Sequence, residues 1–517
     1  MSTAASVEAG LPRVPSRIDG YRIVQPYNGI LDGLAVVERA AVRFSAAPTA
    51  RSKLLPTIRA AIDACELKDG AVVSFHHHLR NGDYVMKMVI DEIARAGIGN
   101  ITIAPSSLFP VHAALVPHLE SRVVTGIHTA YAVGPIAAAI SRGVMQRPIV
   151  MCTHGGRARD IQSGRLAIDV AFVAAPTADT YGNLNGVDGA AACGVLGYAA
   201  ADVEAARYVV AITDHLVPYP ACPIAITQDH VDFIVAVDSI GDPRGIASGT
   251  TRPTTDPVGL QIANTAAAVI ASSGLLENGF SFQTGAGGVS LAVAAALGKV
   301  MHERNVRGSF ASGGITGGIV DMFREGLFRT LFDVQCFDLA AVDSYRRDKG
   351  HLGMTASMYA NPHNRGAVVN QLDAMILGAA EIDVDFNVNV TTGTDGIIMG
   401  GSGGHADAAA GAKLAIVTTR LNAGGYAKVV DRVTTVTTPG ETIDVLVTEA
   451  GVAVNPRRPE LRERLVAAKV RVVPIEQLND SARRAAPRLP PPDRDDRIVA
   501  VVEYRDGTVT DIVRAAA

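Results

Sequence analysis

The chain repeats itself, and this constrains its fold more than any other feature. "SFH" at Ser74 and "SFQ" at Ser281 lie 207 residues apart, closing the short β-rich runs "AVVSF" and "GFSF". A polar or glycine-rich turn follows each, then an apolar helical pattern, "YVMKMVIDEIARAG" from Tyr84 and "VSLAVAAALGKVMHE" from Val289. "ITIAPSS" from Ile101 answers "GSFASGG" from Gly308 at the same spacing. Farther on, "IDVAFV" from Ile168 answers "IDVDFN" from Ile382, and "TADTYGNLNG" from Thr177 answers "TTGTDGIIMG" from Thr391, both 214 apart; "VDFIV" from Val231 answers "IDVLV" from Ile443, 212 apart. Near-constant spacing over so long a span marks a duplicated unit. At 517 residues the chain also exceeds what one hydrophobic core usually holds. Two related domains are expected, 61–255 and 256–475, with an N-terminal extension over 1–60 and a C-terminal tail and hairpin over 476–517.

Within each half, apolar strands alternate with helices, and strands such as "YVVAI" at 208–212 are apolar on both faces. That pattern belongs to an α/β fold with mainly parallel sheets covered by helices. "RPTTDP" at 252–257 reads as a linker, and "IVAVVEYRDGTVTDIV" after "APRLPPPDRDDR" reads as a hairpin turning at Asp506-Gly507. The apolar window 258–276 carries Gln261 and Asn264 and suits a buried helix better than a membrane span. A net charge of −4 without charge blocks gives no footing for nucleic acid or a membrane surface. Five cysteines without a CxxC pair fit a reducing compartment, and no secretory signal is read at the N-terminus, so a cytoplasmic protein is expected.

Ligands of open α/β sheets bind at the carboxyl ends of the strands. His76, His77 and His78 fall there, between a strand and a helix for which Asp83 is a candidate cap. Extended chain sends alternate side chains to opposite sides, so at most His76 and His78 face one way. With Arg80 and Asn81 they form a candidate clamp for a polycarboxylate; a structural role and a metal site are the alternatives, and the chain has no further ligand set for a metal. "QTGAGG" at 283–288 stands at the equivalent loop of the second half, where Gly285, Gly287 and Gly288 let backbone amides approach an anion at a helix start. Two more glycine loops follow strands, "ASGGITGGIVD" at 311–321 and "GGSGGHADAAAGAK" at 400–413, and neither has the spacing of a nucleotide-binding fingerprint. Asn387 and Asn389 of "DFNVN" share one side by strand alternation. Glu277 in "LLENGF" is a possible acyl-transfer nucleophile, but it precedes its strand and so belongs to the wrong end of the sheet.

Taken together, "SFHHHLRNGDYVMKMVIDEIA", "GGRARDIQSGRLAIDVAFVAAPTADTYGNLNG", "SFQTGAGGVSLAVA", "GSFASGGITGGIVDMF" and "GGSGGHADAAAGAKLAIVTT" resemble the alpha subunit family of citrate lyase, the citrate CoA-transferase component. The resemblance runs from about residue 20 to "DGTVTDIV" and implies the CoA-transferase fold. It further implies exchange of acetyl for citryl on a thioester, with acetyl-CoA or an acetylated CoA-like prosthetic group on a separate acyl carrier protein, and no metal. The implied partners are a beta (lyase) subunit and a gamma (acyl-carrier) subunit in a homo- or hetero-oligomeric complex. On this reading Gly401, Ser402, Gly403, Gly404, His405 and Asp407, with Gly313 and Gly314, serve the reaction. Gly285, Gly287, Gly288, Thr316 and Gly317 serve the thioester, and His76, His78, Arg80, Asn81, Asn387 and Asn389 the carboxylates. Glutamate-dependent CoA transferases are more distantly similar, and their nucleophile would fall near Gly313, where residues 310–319 hold no acid. Direct transfer is therefore expected. A stand-alone acyl-CoA:carboxylate CoA-transferase, a citramalate-specific relative and a non-catalytic scaffold are the other readings.

Overall fold

In the computed structural model, which describes residues 11–12, 14–30, 52–247, 252–486 and 494–516, seven parallel strands form the centre of each of two sheets. In the first these are β1 (Val72–Phe75), β2 (Ile101–Pro105), β3 (Val124–Thr129), β4 (Ile149–Met151), β5 (Val170–Ala175), β6 (Tyr208–Thr213) and β7 (Phe233–Ala236), in the order β7-β6-β5-β1-β2-β3-β4. The second holds β8 (Ser281–Thr284), β9 (Gly308–Ile315), β10 (Phe328–Cys336), β11 (His351–Gly353), β12 (Ala374–Gly378), β13 (Ala415–Thr418) and β14 (Val445–Thr448), in the order β14-β13-β12-β8-β9-β10-β11. The orders correspond strand for strand, so the duplication is one of topology as well as of letters.

Matched hydrogen bonds give the true spacing. Asp169 accepts the Val72 amide at 2.8 Å and Asp373 the Ser281 amide at 2.8 Å; Asp232 accepts Val209 and Asp444 accepts Ala415, again at 2.8 Å each. Val72 thus matches Ser281, two residues away from the expected pairing of Ser74 with Ser281. Asp169 matches Asp373, and Asp179, bonded to the Asn183 side chain, matches Asp383, bonded to that of Asn387. This spacing is 204, which corrects the expected 214. The two "IDV" runs occupy different layers: Val170 is the buried start of β5, whereas Glu381–Asp383 is a short strand beyond β12 in a separate three-stranded sheet. Strands buried on both faces accept any apolar residue, so "VAFVA" and "AMILG" share a place without sharing letters.

The flanks differ from the expected boundaries. Leu54–Leu55 pairs in parallel with β7, and the C-terminal hairpin, β15 (Arg494–Glu503) with β16 (Val509–Ala516), adds to the first sheet through the parallel pair β15-β4. The end of the chain therefore completes the first unit. Most of the 1–60 extension and the "PRLPPPD" stretch of the tail lie outside the described residues.

Five helices matter for the site: α1 (Val85–Arg95), α2 (His154–Gln162), α3 (Pro257–Ser272), α4 (Gly288–Glu303) and α5 (His405–Gly411). Asp83 accepts the Val85 and Met86 amides at 3.3 and 3.2 Å, satisfying donors that the first turn of α1 leaves open. Pro257 is the first residue of α3 rather than part of a linker, with Asp256 capping it through the Gly259 amide at 2.6 Å, a position that suits a residue lacking an N–H. The apolar window 258–276 is this helix, packed on α4. Among the described residues no helix is long and apolar enough to cross a membrane. One continuous apolar core runs through both sheets.

Candidate functional site

The carboxyl ends of the two sheets face each other across a cavity of about 330 Å³. From the first unit come the loop after β1, Tyr131 after β3, His154 at the start of α2, and Tyr198; from the second come the loop after β8, Gln335 and Phe337 at the end of β10, Gly378 at the end of β12, and residues 401–405. Backbone bonds join the units beside it. The Gly403 amide donates to the Ala130 carbonyl at 3.0 Å, the His154 amide to the Gly403 carbonyl at 2.7 Å, and the Ala132 amide to the Gly400 carbonyl at 3.1 Å. Neither unit makes this wall alone.

The histidine triplet alternates as extended chain must, with the opposite face toward the cavity. His77 lines it; His76 and His78 do not. Those two rings lie 4.2 Å apart inside the first unit, where His76 Nε2 accepts the Ala174 amide at 3.0 Å and His78 Nε2 accepts the Tyr198 amide at 3.2 Å. The expected clamp is corrected accordingly: both bonds need neutral rings, and burial pushes His76 down to about 4 and His78 well below the usual imidazole value. Removing either ring strands a buried amide. His76→Ala and His78→Ala are each expected to cost about 1–3 kcal/mol of unfolding free energy, read from denaturant midpoints, while leaving the relative use of the two substrates unchanged.

His77 is held differently. Ser106 Oγ accepts its backbone amide at 3.1 Å and lies 2.6 Å from its Nδ1; in the tautomer where the hydroxyl donates to Nδ1, Nε2–H is the donor left on a neutral ring. Burial, then His154, holds its pKa well below the usual value. The ring packs on Tyr198 at 4.6 Å and on His154 at 5.5 Å, and burial drives His154 down to about 3. Arg80 supplies the fixed charge. Its guanidinium lies between the Phe109 and Phe337 rings, 5.2 and 4.8 Å from their centroids, and among the described residues no carboxylate pairs with it. Among the described residues no Asp or Glu lines the cavity. A cation so placed, between aromatic faces and without an internal anion, suits a carboxylate ligand.

The glycine loops close the other side. Gly285, Gly287, Gly314, Gly401, Ser402, Gly403 and Gly404 reach the cavity. The Gly285 amide is spent on the Ile376 carbonyl and that of Gly403 on Ala130, which leaves the amides of Ala286, Gly287, Ser402 and Gly404 without an intramolecular acceptor among the described residues. Gly287 stands at the N-terminus of the sixteen-residue α4, where amide dipoles favour negative charge. Gly403 has φ +51°, and at Gly404 a Cβ would fall 2.3 Å from Tyr359 Oη. His405 is on the wall but committed: Nε2 donates to the Gly378 carbonyl at 2.9 Å and Nδ1 accepts from Thr438 Oγ1 at 2.7 Å, with its pKa near 4 through burial. It orients the loop and has no lone pair left for proton transfer.

Other expected site residues serve the walls from behind. Asp407 accepts Thr153 Oγ1 at 2.8 Å and the Gly155 amide at 2.9 Å, pinning α5 to α2; burial raises its pKa to about 6 against the pull of Arg505. Asn81 Oδ1 accepts the Val111 amide at 3.0 Å. Asn387 bonds Asp383 and the Gly440 amide, and Asn389 bonds Glu381 and the 391–392 turn, so both are structural. Gly288, Thr316 and Gly317 lie off the cavity; Gly288 begins α4 and the Gly317 amide donates to Asp338 at 2.7 Å. Gly313 sits at a pairing irregularity next to Gly314. Glu277 is exposed, ahead of β8, at the opposite end of the sheet. Of the other wall residues, His77 and Gln283 fall in strand-end loops read from the sequence but were given no role of their own, while His154, Tyr131, Tyr198, Tyr359 and Gln335 were not singled out. The strand-end rule was a usable signal for His154, and none marked the other four. Asp333, Cys336 and His351 form a buried cluster of metal-ligand types, and they hydrogen-bond one another.

Residues 51–516 match the family model for citrate lyase, alpha subunit (CitF). The chain is 49% identical over 461 residues to the citrate lyase alpha chain of Escherichia coli (strain K12), covering 89% of this chain and 90% of that one. It is similar to the alpha subunit of citrate lyase from Streptococcus mutans, solved in complex with citrate, with a TM-score of 0.92 and 47% identity over 94% of this chain and 96% of that one. A 4-hydroxybutyrate CoA-transferase from Porphyromonas gingivalis shares the fold, with a TM-score of 0.54 and 20% identity over 84% of this chain and 97% of that one.

Proposed function

The chain belongs to the citrate lyase alpha subunit family, and from that premise we propose that the inter-sheet cavity carries out acyl exchange, turning citrate and an acetyl thioester into a citryl thioester and acetate. The protein is an enzyme of the CoA-transferase type. The observation that carries the reading is the cavity's charge pattern among the described residues: an Arg80 guanidinium without a carboxylate partner and open glycine amides, with no carboxylate on the wall.

A citrate carboxylate oxygen attacks the thioester carbonyl carbon, the C–S bond breaks, and thiolate leaves a mixed anhydride. The thiolate then attacks the citryl carbonyl carbon of that anhydride, the C–O bond breaks, and acetate departs with the oxygen. Arg80 and His77 Nε2–H hold carboxylates of citrate, and the amides of Ser402 and Gly404 meet the developing oxyanion. Ala286 and Gly287 offer their amides to the thioester arm. No protein nucleophile is needed, because alignment of two bound reactants contributes up to about 7–11 kcal/mol and one oxyanion donor about 3–4 kcal/mol. The thioester is supplied by a separate carrier subunit bearing a CoA-like arm, and the citryl product passes to a lyase subunit of the same complex.

Purified protein incubated with acetyl-CoA, or with an acetylated carrier, is expected to release acetate and form a new thioester with citrate. Hydroxylamine or borohydride present during turnover is expected to label no glutamate. Absence of transfer to citrate with either donor sinks the reading, and specific labelling of Glu277 sinks the direct route.

A further inference from the structure

Gln335 has one use left, and the fold fixes which. It stands one step past a bulge in β10: Gly313 pairs with Asp333 and Gly314 with Gln335, so Val334 is the extra residue. Such a bulge re-aims the side chain that follows it. The backbone there is locked, because Asp333 Oδ1 accepts the Gln335 amide at 2.8 Å. Asp333 Oδ2 meanwhile meets His351 Nε2 at 3.1 Å and Cys336 Sγ at 3.0 Å. The carboxamide is locked too. Its Nε2 donates to the His77 carbonyl at 2.7 Å, and a carbonyl requires a donor, so the amide cannot turn over. Oε1 is left as a buried acceptor with no partner among the described residues, on a fully buried residue of the cavity wall.

An unpaired buried acceptor is costly and calls for a donor from the ligand. The carboxylates of a polycarboxylate at neutral pH only accept; a hydroxycarboxylate adds one donor, its hydroxyl. The placement favours that group. Gln335 grips the carbonyl of His77, three residues before Arg80, and the Arg80 guanidinium stacks on Phe337, two residues after Gln335. Acceptor and cation share one junction, as a hydroxyl and its neighbouring carboxylate would require. We infer that Gln335 Oε1 accepts the tertiary hydroxyl of the substrate, so that Gln335 sets specificity for hydroxylated polycarboxylates. The inference rests on the reading of the cavity as a citrate site.

The test compares citrate with propane-1,2,3-tricarboxylate, which lacks only the hydroxyl, using acetyl-CoA as acyl donor. Wild-type protein is expected to favour citrate in kcat/KM by about 10²-fold, the scale set by leaving such an acceptor unmet. Gln335→Met also frees the His77 carbonyl, a loss that both acids share; beyond that shared loss it is expected to lower kcat/KM for citrate by about the same factor relative to tricarballylate, with the KM for acetyl-CoA held within about threefold. Equal use of both acids by wild type, which requires no variant to fold, overturns the inference and leaves the citrate site standing. So does a Gln335→Met variant that loses both acids equally, or whose loss falls on acetyl-CoA. Use of neither acid by wild type overturns the citrate reading itself, and the inference with it.

Discussion

Arg80→Met is expected to lower kcat/KM for citrate by about 10²- to 10³-fold, because truncating one partner of a desolvated, hydrogen-bonded charge pair costs about 2–5 kcal/mol. The residue is set for this role by its surroundings. It lies in a left-handed backbone conformation, φ +50°, that turns the loop back on itself, and its guanidinium is clasped by Phe109 and Phe337 from the two units. The Nε is buried without a partner among the described residues. Burial presses on its charge and lowers its pKa, so a bound carboxylate is the group that stabilises the charge there.

The loss belongs to one substrate. KM for the acetyl thioester is expected to stay within about threefold, since that arm is held by backbone amides on the facing loops. Arg80→Lys keeps the charge but loses the planar fork and its stacking, and is expected to recover no more than about a tenth of the lost activity. Steady-state kinetics with each substrate varied in turn decides it. A proportional loss in citrate and acetyl-CoA would place Arg80 in the architecture rather than at the carboxylate.

Why the fold was legible and half of the site was not follows from where information sits along the chain. Strand and helix periods are local, so the repeat, the parallel sheets and the strand-end loops at His76–Arg80, Gly285–Gly288 and Gly401–Gly404 could be read directly. Sidedness is not local. Alternation said that His77 opposes His76 and His78, but only the packing of β1 between β5 and β2 decides that the face of His76 and His78 is buried and that of His77 meets the second unit. Asn387 and Asn389 misled for a related reason: their amides answer Asp383 and Glu381, in a turn motif that Asp179 and Asn183 repeat in the first half. Polar residues at equivalent turns of a duplicated fold satisfy backbone first. Gln335 and Tyr198 reach the cavity from segments far from any motif, which one-dimensional reading cannot see.

Gly404→Ala is expected to lower kcat by about 10²- to 10³-fold, the scale of a lost oxyanion donor, through a mechanism that a second substitution can undo. Gly404 has φ −96° and ψ 8°, a backbone any residue adopts, so alanine brings no conformational strain there. The obstacle is one atom. The new Cβ would stand 2.3 Å from Tyr359 Oη, while the nearest ring carbons are at 3.1 Å. Tyr359 is itself fixed by the hydrogen bond from Gln283 Nε2 at 2.8 Å, so the loop must yield, and with it the amides of Ser402 and Gly404. Overpacking of this kind costs about 1–3 kcal/mol of stability as well. Tyr359→Phe removes the obstructing oxygen, and the Tyr359→Phe/Gly404→Ala pair is expected to regain at least about tenfold in kcat over Gly404→Ala alone, a coupling typical of residues in contact. At Gly403, where φ is +51°, alanine is strained by its own backbone and no partner substitution relieves it. Restoration at Gly404 with none at Gly403 therefore separates a loop displaced by a clash from a loop that depends on left-handed backbone. Failure of Tyr359→Phe to restore any activity would show that the Tyr359 oxygen is not what displaces the loop, and unchanged kcat in Gly404→Ala would show that the reaction does not use the Gly404 amide.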